Sequence, residues 1–367
     1  MIRIMRKLAS TRLTLVGMAL LGVGAALSYD NPVSTPVWVL VVPLVFLALN
    51  LLSAIVTNSR INRRGGLLVF HVGLLSIIIL AAIGRLTHMD AHLEIVQGGG
   101  FAKEDLIDVH SGPWHTGALD KVMFIQGPYT VDYAPGITRG LTHSHVLVPD
   151  GHGDWEERVI GDDRPLVING YRFYTTFNKG FSPMLTWIPT RGRPVSGTVN
   201  MPSYPMFEFK QSNSWTPPGG KEIRFWLQLQ TGMDDKAHWT LDASQARGTL
   251  VINSDNRRIE LQPGESAVLD GGVLRYDRLA SWMGYKLFYD PTLHWLFISA
   301  ILAILGMAAH FWRKFSSLPL TAKESARAGW IAGDSRQTTP VNNDVQVSLA
   351  ANKGQSHATV MLEKPDV

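Results

Sequence analysis

Residues 67–83 read LLVFHVGLLSIIILAAI, seventeen positions without a charge, interrupted only by His71, Gly73 and Ser76. A bilayer span needs roughly 17–25 predominantly apolar residues. The run is too uniformly apolar for a helix with one wet face. Three more runs of this kind flank it: Leu13–Ser28, which is slightly short, Val37–Val56 and Leu293–Phe311. The sequence therefore predicts an integral membrane protein with four transmembrane helices, three of them in the first quarter of the chain.

Basic residues orient these spans. Arg3, Arg6, Lys7 and Arg12 precede the first, Arg60, Arg63 and Arg64 lie between the second and third, and Arg313 and Lys314 follow the fourth. The loop after the first span carries Asp30 and no Lys or Arg. The positive-inside rule places both termini in the cytoplasm and residues 85–290 on the other side. That segment holds 20 basic and 24 acidic residues, so the net charge of +4 comes from the cytoplasmic parts. The excess is a topology signal, and no nucleic-acid partner is expected. A basic start followed by Gly24-Ala25-Ala26 also fits a cleaved signal peptide, but two further spans close behind favour a retained anchor.

The expected organisation is three spans in 1–84 (about 13–28, 37–56 and 67–83), an outer domain in 85–290, a fourth span in 291–312 and a cytoplasmic tail in 313–367. From about residue 332 the tail is rich in Ser, Thr, Gln, Asn and Lys and reads as disordered. The outer domain reads as β-rich. Short runs such as Tyr129–Tyr133, Tyr171–Tyr174, Ile223–Leu227 and Thr249–Ile252 alternate with turn clusters such as Pro149-Asp150-Gly151 and Asp270-Gly271-Gly272. This spacing predicts a sandwich or barrel-like antiparallel domain, with a hairpin at Asn253–Asn256. The chain has no cysteine. Disulfides, thiol exchange, thiolate metal sites, iron–sulfur clusters and covalent haem attachment through this chain are thereby excluded. There is also no Gly-x-Ser-x-Gly elbow and no His-Glu-x-x-His.

An imidazole inside hydrocarbon is costly unless paired, which makes His71 a functional hypothesis by default. His310 near the end of the fourth span lies at the same face. His88 follows the third span by a few residues, and His294 opens the fourth. The intervals His71–His88 and His294–His310 correspond to roughly 25 Å and 24 Å of helix rise. Neighbouring third and fourth spans could thus supply a bis-histidine haem b site in each leaflet. Angle opposes this: His71 and His88 differ by roughly 100° and His294 and His310 by roughly 160°. Some ligands must then face a third helix or another subunit. His294 and His310 also fit simple interfacial residues. Arg85 reads either as a snorkelling anchor or as a partner for a haem propionate. In the outer domain, His143-x-His145 leaves one strand face together, a metal-compatible spacing without a third ligand. His110, His115, His152 and His238 read as surface or satisfied polar groups.

Three N-terminal spans, a large β-rich outer domain and one last span resemble the ResB family of System II cytochrome c biogenesis. Local matches are Leu8-Ala9-Ser10-Thr11-Arg12-Leu13 before the first span, His71-Val72-Gly73-Leu74-Leu75 in the third, Tyr133-x-Pro135-Gly136, and Tyr285–Pro291 leading into the last span, which holds Leu305-Gly306. Thr292 stands where the family pattern has glycine after Asp-Pro, and the outer domain diverges. The resemblance implies an accessory inner-membrane subunit that helps a multi-span haem-handling protein of the CcsA/ResC type present reduced haem to apocytochrome c. It implies haem that is transient or shared with that partner, and His71 is the residue that carries over. A separate thioredoxin-like protein would supply thiol reduction. The rival expectation is a b-type cytochrome subunit that passes electrons across the membrane.

Overall fold

The computed structural model describes residues 2–316 apart from 32, 33, 231, 235, 255 and 256. The disordered-tail expectation lies outside the described residues. The chain divides into two compact units, Met1–Met307 and Ala308–Val367.

The order of elements follows the hydropathy. Helices α1 (Ile2–Leu8), α2 (Thr11–Asp30), α3 (Trp38–Thr57), α4 (Ser59–Asn62) and α5 (Gly65–Thr87) come first, and α6 (Leu293–Ser316) comes last. Four of them, α2, α3, α5 and α6, are long and apolar enough to cross a membrane. Between α5 and α6 run β1 (Met89–Val96), β2 (Ile107–Ser111), β3 (Ile125–Ala134), β4 (Thr138–Pro149), β5 (Trp155–Ile160), β6 (Leu166–Ile168), β7 (Tyr171–Pro189) and β8 (Val195–Thr198). They continue as β9 (Ser212–Trp215), β10 (Ile223–Gln230), β11 (Trp239–Asp242), β12 (Arg247–Ser254), β13 (Arg257–Leu261), β14 (Ser266–Leu269) and β15 (Gly272–Tyr289).

The strands pair in antiparallel fashion throughout the described residues. The largest sheet runs β2-β1-β15-β7-β6, with β14 on β15 and β8 on β7. Two four-stranded sheets, β13-β12-β10-β9 and β11-β3-β4-β5, complete the domain. Ser254 pairs with Arg257 across residues 255 and 256, as the hairpin reading expects. Phe124, just before β3, joins Tyr129, Phe173, Trp187, Leu250, Tyr276 and Tyr285 from the strands in one core, each large side chain contributing about 1.5–3 kcal/mol on burial. One polar ring inside is fully paired, whereas Tyr133 Oη, Gln211 Oε1 and Trp239 Nε1 are buried without a hydrogen-bond partner among the described residues. Tyr285 Oη donates to Gln126 Oε1 at 2.6 Å and lies 2.7 Å from Ser144 Oγ, and Gln126 Nε2 donates to Ser144 Oγ at 2.9 Å. This ring joins β3, β4 and β15.

The register of β1 on β15 decides how the spans are placed. Met89 pairs with Tyr289 and Val96 with Trp282. The strand leaving α5 is thus zipped to the strand entering α6, and the two helices emerge side by side. Their seam is made of small residues. A Cβ on Gly73 would lie 2.8 Å from both the nitrogen and Cβ of Ala303, and one on Gly306 would collide with the backbone of Phe70. Close backbone approach at small residues is the usual way membrane helices gain packing energy without a hydrophobic drive.

Within the N-terminal spans the buried amide of Asn50 on α3 holds the corner between α1 and α2. Its Nδ2 donates to the carbonyls of Leu8 and Ser10, and its Oδ1 accepts from Thr14 Oγ1 at 2.8 Å. Bonds of this kind inside a bilayer are worth roughly 0.6–2 kcal/mol each. Asn50→Leu is therefore expected to destabilise the detergent-solubilised protein by about 1–3 kcal/mol, read as an earlier unfolding transition and faster proteolysis before Thr11.

Lys179 on β7 is 2% exposed. Its Nζ lies 5.7 Å from the Tyr133 ring centre and its best acceptor is the Phe177 carbonyl at 3.5 Å. Burial, aided by the Arg139 guanidinium, pulls the amine down to about 8. The unfolded chain, with an ordinary lysine, binds more protons between pH 8 and 10.5, so this residue's contribution makes the fold gain stability as pH rises through that window. Lys179→Met is expected to raise the unfolding temperature at pH 7, with the gap over the parent shrinking as pH approaches 10.5. A gap that does not change with pH would contradict this account.

Candidate functional site

The third span ends in a structure that leaves few backbone groups unpaired. The last carbonyls of a helix lack intrahelical donors and need other partners. Here the chain after β2 folds back over the end of α5. Trp114 N–H donates to Leu86 O at 2.8 Å, and Gly112 N–H donates to His88 O at 2.9 Å. His88 N–H donates to Gly84 O at 2.8 Å. Two imidazoles complete the set: His88 Nδ1 donates to Arg85 O at 2.9 Å and His115 Nδ1 to Thr87 O at 3.0 Å.

These bonds fix tautomers. A carbonyl only accepts, so Nδ1 carries the proton in both rings, and Nε2 is left to accept or to bind. In His115, Nε2 lies 2.9 Å from Tyr171 Oη and accepts a hydrogen bond from it. Burial, with Tyr289 adjacent, pushes the Tyr171 hydroxyl up to about 12, which keeps it a donor. The His115 ring also packs edge-on against Tyr289, 5.0 Å between centres. In His88, Nε2 faces the Asp90 carboxylate at 3.8 Å. Burial lowers the His88 pKa first, the Arg85 charge lowers it further, and Asp90 and Asp290 act against both. Arg85 Nε is buried with no hydrogen-bond partner among the described residues.

His71 sits half-buried two turns into α5, with Nδ1 donating to Leu67 O at 2.7 Å and its ring edge-on to Phe70 at 5.2 Å. Its Nε2 has no hydrogen bond among the described residues, so the ring presents a bare nitrogen from a fixed tautomer. At about 100° per residue His71 points roughly 160° away from Gly73, and so away from the α5–α6 seam. His294, nine residues before Ala303, points about 180° from it and is exposed. At Gly73 and Gly306 the seam has no room for a methyl group, hence none for a porphyrin. His310 belongs to the second unit, where its ring packs against Phe311 at 5.5 Å.

His143 and His145 project from the outer face of β4. His145 Nδ1 lies 2.6 Å from Glu157 Oε1, and His143 lines a cavity of about 190 Å³ with Leu141, Val159 and Arg164. Among the described residues no group of three His, Cys, Asp or Glu side chains is arranged to hold a metal ion. Of the residues that sequence reasoning singled out, His71 and Arg85 lie on α5 and His88 caps its end, while His294 and His310 lie on α6. His115, read from the sequence as a surface or satisfied polar group, is satisfied, but its partners, a backbone carbonyl and a tyrosine 56 residues away, were not legible. The tight turn Ser111-Gly112-Pro113 ahead of it was the available signal.

Comparison with known proteins gives a family match and only weak likeness to solved structures. No curated protein matches the chain. Among solved structures it is similar to one titled cytochrome c heme lyase CcmF, with 12% identity and a TM-score of 0.26. The similarity covers 83% of this chain and 35% of that one, so the chain spans about a third of that protein's length. At that score the likeness defines neither a shared fold nor a shared activity. The model of the ResB-like family matches residues 60–344, from the start of the third span past the end of the fourth. That is well over half of the sequence, and the chain belongs to the ResB-like family.

Proposed function

We propose that this protein takes part in cytochrome c biogenesis as the accessory membrane subunit of a haem-export and haem-attachment complex. Family membership supports the process, and the bare Nε2 of His71 carries the specific role. In this reading the chain lies in the inner membrane with both termini cytoplasmic and the β domain outside.

The residues present fit haem b in part. His71 would hold the iron through its free Nε2, with Leu67 O fixing the ring through Nδ1. Haem bound here would supply the iron–porphyrin that is passed to an acceptor polypeptide. Because His71 turns away from α6, a multi-span haem-handling partner of the CcsA/ResC type would supply any further ligand. Arg85 offers an unpartnered donor near the outer end of the same helix, suited to a carboxylate such as a propionate. His88, capping α5 and facing Asp90, serves better as a structural residue than as a ligand in this arrangement. His294 and His310 remain secondary candidates for contacts to the partner. Apocytochrome c is the proposed acceptor. With no cysteine in this chain, its thiols are kept reduced by a separate thioredoxin-like protein.

The test is His71→Ala in cells lacking the native gene, with the complex purified through this subunit and haem measured as the pyridine haemochrome. Expected are unchanged membrane insertion, about a tenfold loss of co-purifying haem and of mature c-type cytochromes, and partial recovery on adding imidazole. Full haem and full cytochromes in the variant would sink the proposal. Two stoichiometric low-spin haems in the subunit expressed alone would instead favour the b-type cytochrome reading.

A further inference from the structure

The β domain contains a second feature, far in sequence from the helix histidines. Two sheet edges are left without strand partners among the described residues, and both line one cavity of about 650 Å³. One edge is β8 and its continuation to Met201; the other is β9.

Hydrogen-bond parity shows which backbone groups face the cavity. Val199 N–H donates to Pro183 O at 3.2 Å and Met201 N–H to Phe181 O at 3.0 Å, so odd-numbered residues face β7. The main-chain groups of Thr198 and Asn200 therefore face the other way. On the opposite wall Leu227 N–H donates to Gln211 O at 2.8 Å, so Gln211, Asn213 and Trp215 face β10, while Ser212 and Ser214 turn outward. Unpaired edges of this kind are templates for an added strand.

One side chain already stands in for such a strand. Asn213 Nδ2 donates to Asn200 O at 2.8 Å, and Asn213 Oδ1 accepts from Ser214 N–H at 2.8 Å. The Asn213 amide bridges the edges at one end of the cavity, donating to one and accepting from the other as a peptide group would. The charged groups in the lining are all acidic. Glu94 and Asp105 contribute carboxylates, Trp215 offers an apolar wall, and among the described residues no Lys, Arg or His lines the cavity. Glu94 Oε2 is held by Asn200 Nδ2 at 3.4 Å.

We infer that this groove binds an extended polypeptide segment bearing Lys or Arg, paired through its main chain to the outward groups of β8–Asn200 and β9. Added-strand recognition draws affinity from main-chain bonds and specificity from alternate side chains. The two edges match about four or five residues of strand at roughly 3.3 Å per residue. The inference does not rest on the haem reading, and its failure would leave the His71 result standing.

The experiment uses the full chain in detergent micelles and fluorescence anisotropy with three labelled hexapeptides. One alternates Lys with Val, one carries Glu in place of Lys, and one is the Lys peptide methylated at every second backbone nitrogen. Binding of the Lys peptide is expected, at least tenfold weaker for each of the other two, with slowed amide exchange at Asn200 and Ser214. The double variant Glu94→Lys, Asp105→Lys is expected to lose at least tenfold. Asn213→Ala, which removes the bridge and keeps the edges, is expected to bind several-fold more tightly. Equal binding of the methylated peptide, absence of binding at millimolar concentration, or unchanged affinity in both variants overturns the inference. Unfolding curves of both variants verify that the domain is intact.

Discussion

The ladder between Met89–Val96 and Trp282–Tyr289 is the constraint on which the molecule depends. It joins the first and last strands of a domain of about two hundred residues and so fixes the exit of one membrane helix beside the entrance of the next. The α5–α6 seam, the wrapped end of α5 and the direction in which His71 points all follow from it. Asp290 then starts α6 locally: its Oδ1 accepts from Thr292 N–H at 2.8 Å and from Thr292 Oγ1 at 2.7 Å. The Thr292 hydroxyl supplies one of these two donors.

Polar groups in and near the spans are accounted for with few exceptions, and this gives the exceptions meaning. His71, His88 and His115 each place an Nδ1 proton on a carbonyl of α5. The remaining nitrogen is used in His115, faces a carboxylate in His88 and is bare in His71. In low-dielectric surroundings a bare acceptor costs free energy that a ligand can recover. The same reasoning separates Asn50, fully bonded and structural, from Arg85, whose Nε lacks a partner among the described residues.

The spans were legible because hydropathy is a local property, and so were the β-rich character and the 253–256 hairpin. What joins distant segments was not. Nothing near Met89 says that it pairs with Tyr289, and without that pairing the neighbouring of α5 and α6 stays conditional. Gly73 and Gly306 are visible as small residues in apolar runs, yet only the register shows that they meet across one seam. His71 stood out because polarity in hydrocarbon is rare; His115 did not, because a histidine in a loop is common. Lys179 looks like any strand lysine until the sheets close over it.

A domain closed by its own first and last strands has consequences for the order in which it is made. Met89 is synthesised 200 residues before Tyr289, and contacts of such long separation form late. Until then α5 rests in the bilayer with its glycine face unfilled, and the carbonyls at its end are held by His88 and the Gly112–His115 segment. A chain stopped anywhere between His115 and Trp282 would keep these caps but leave the glycine face of α5 without α6 to fill it.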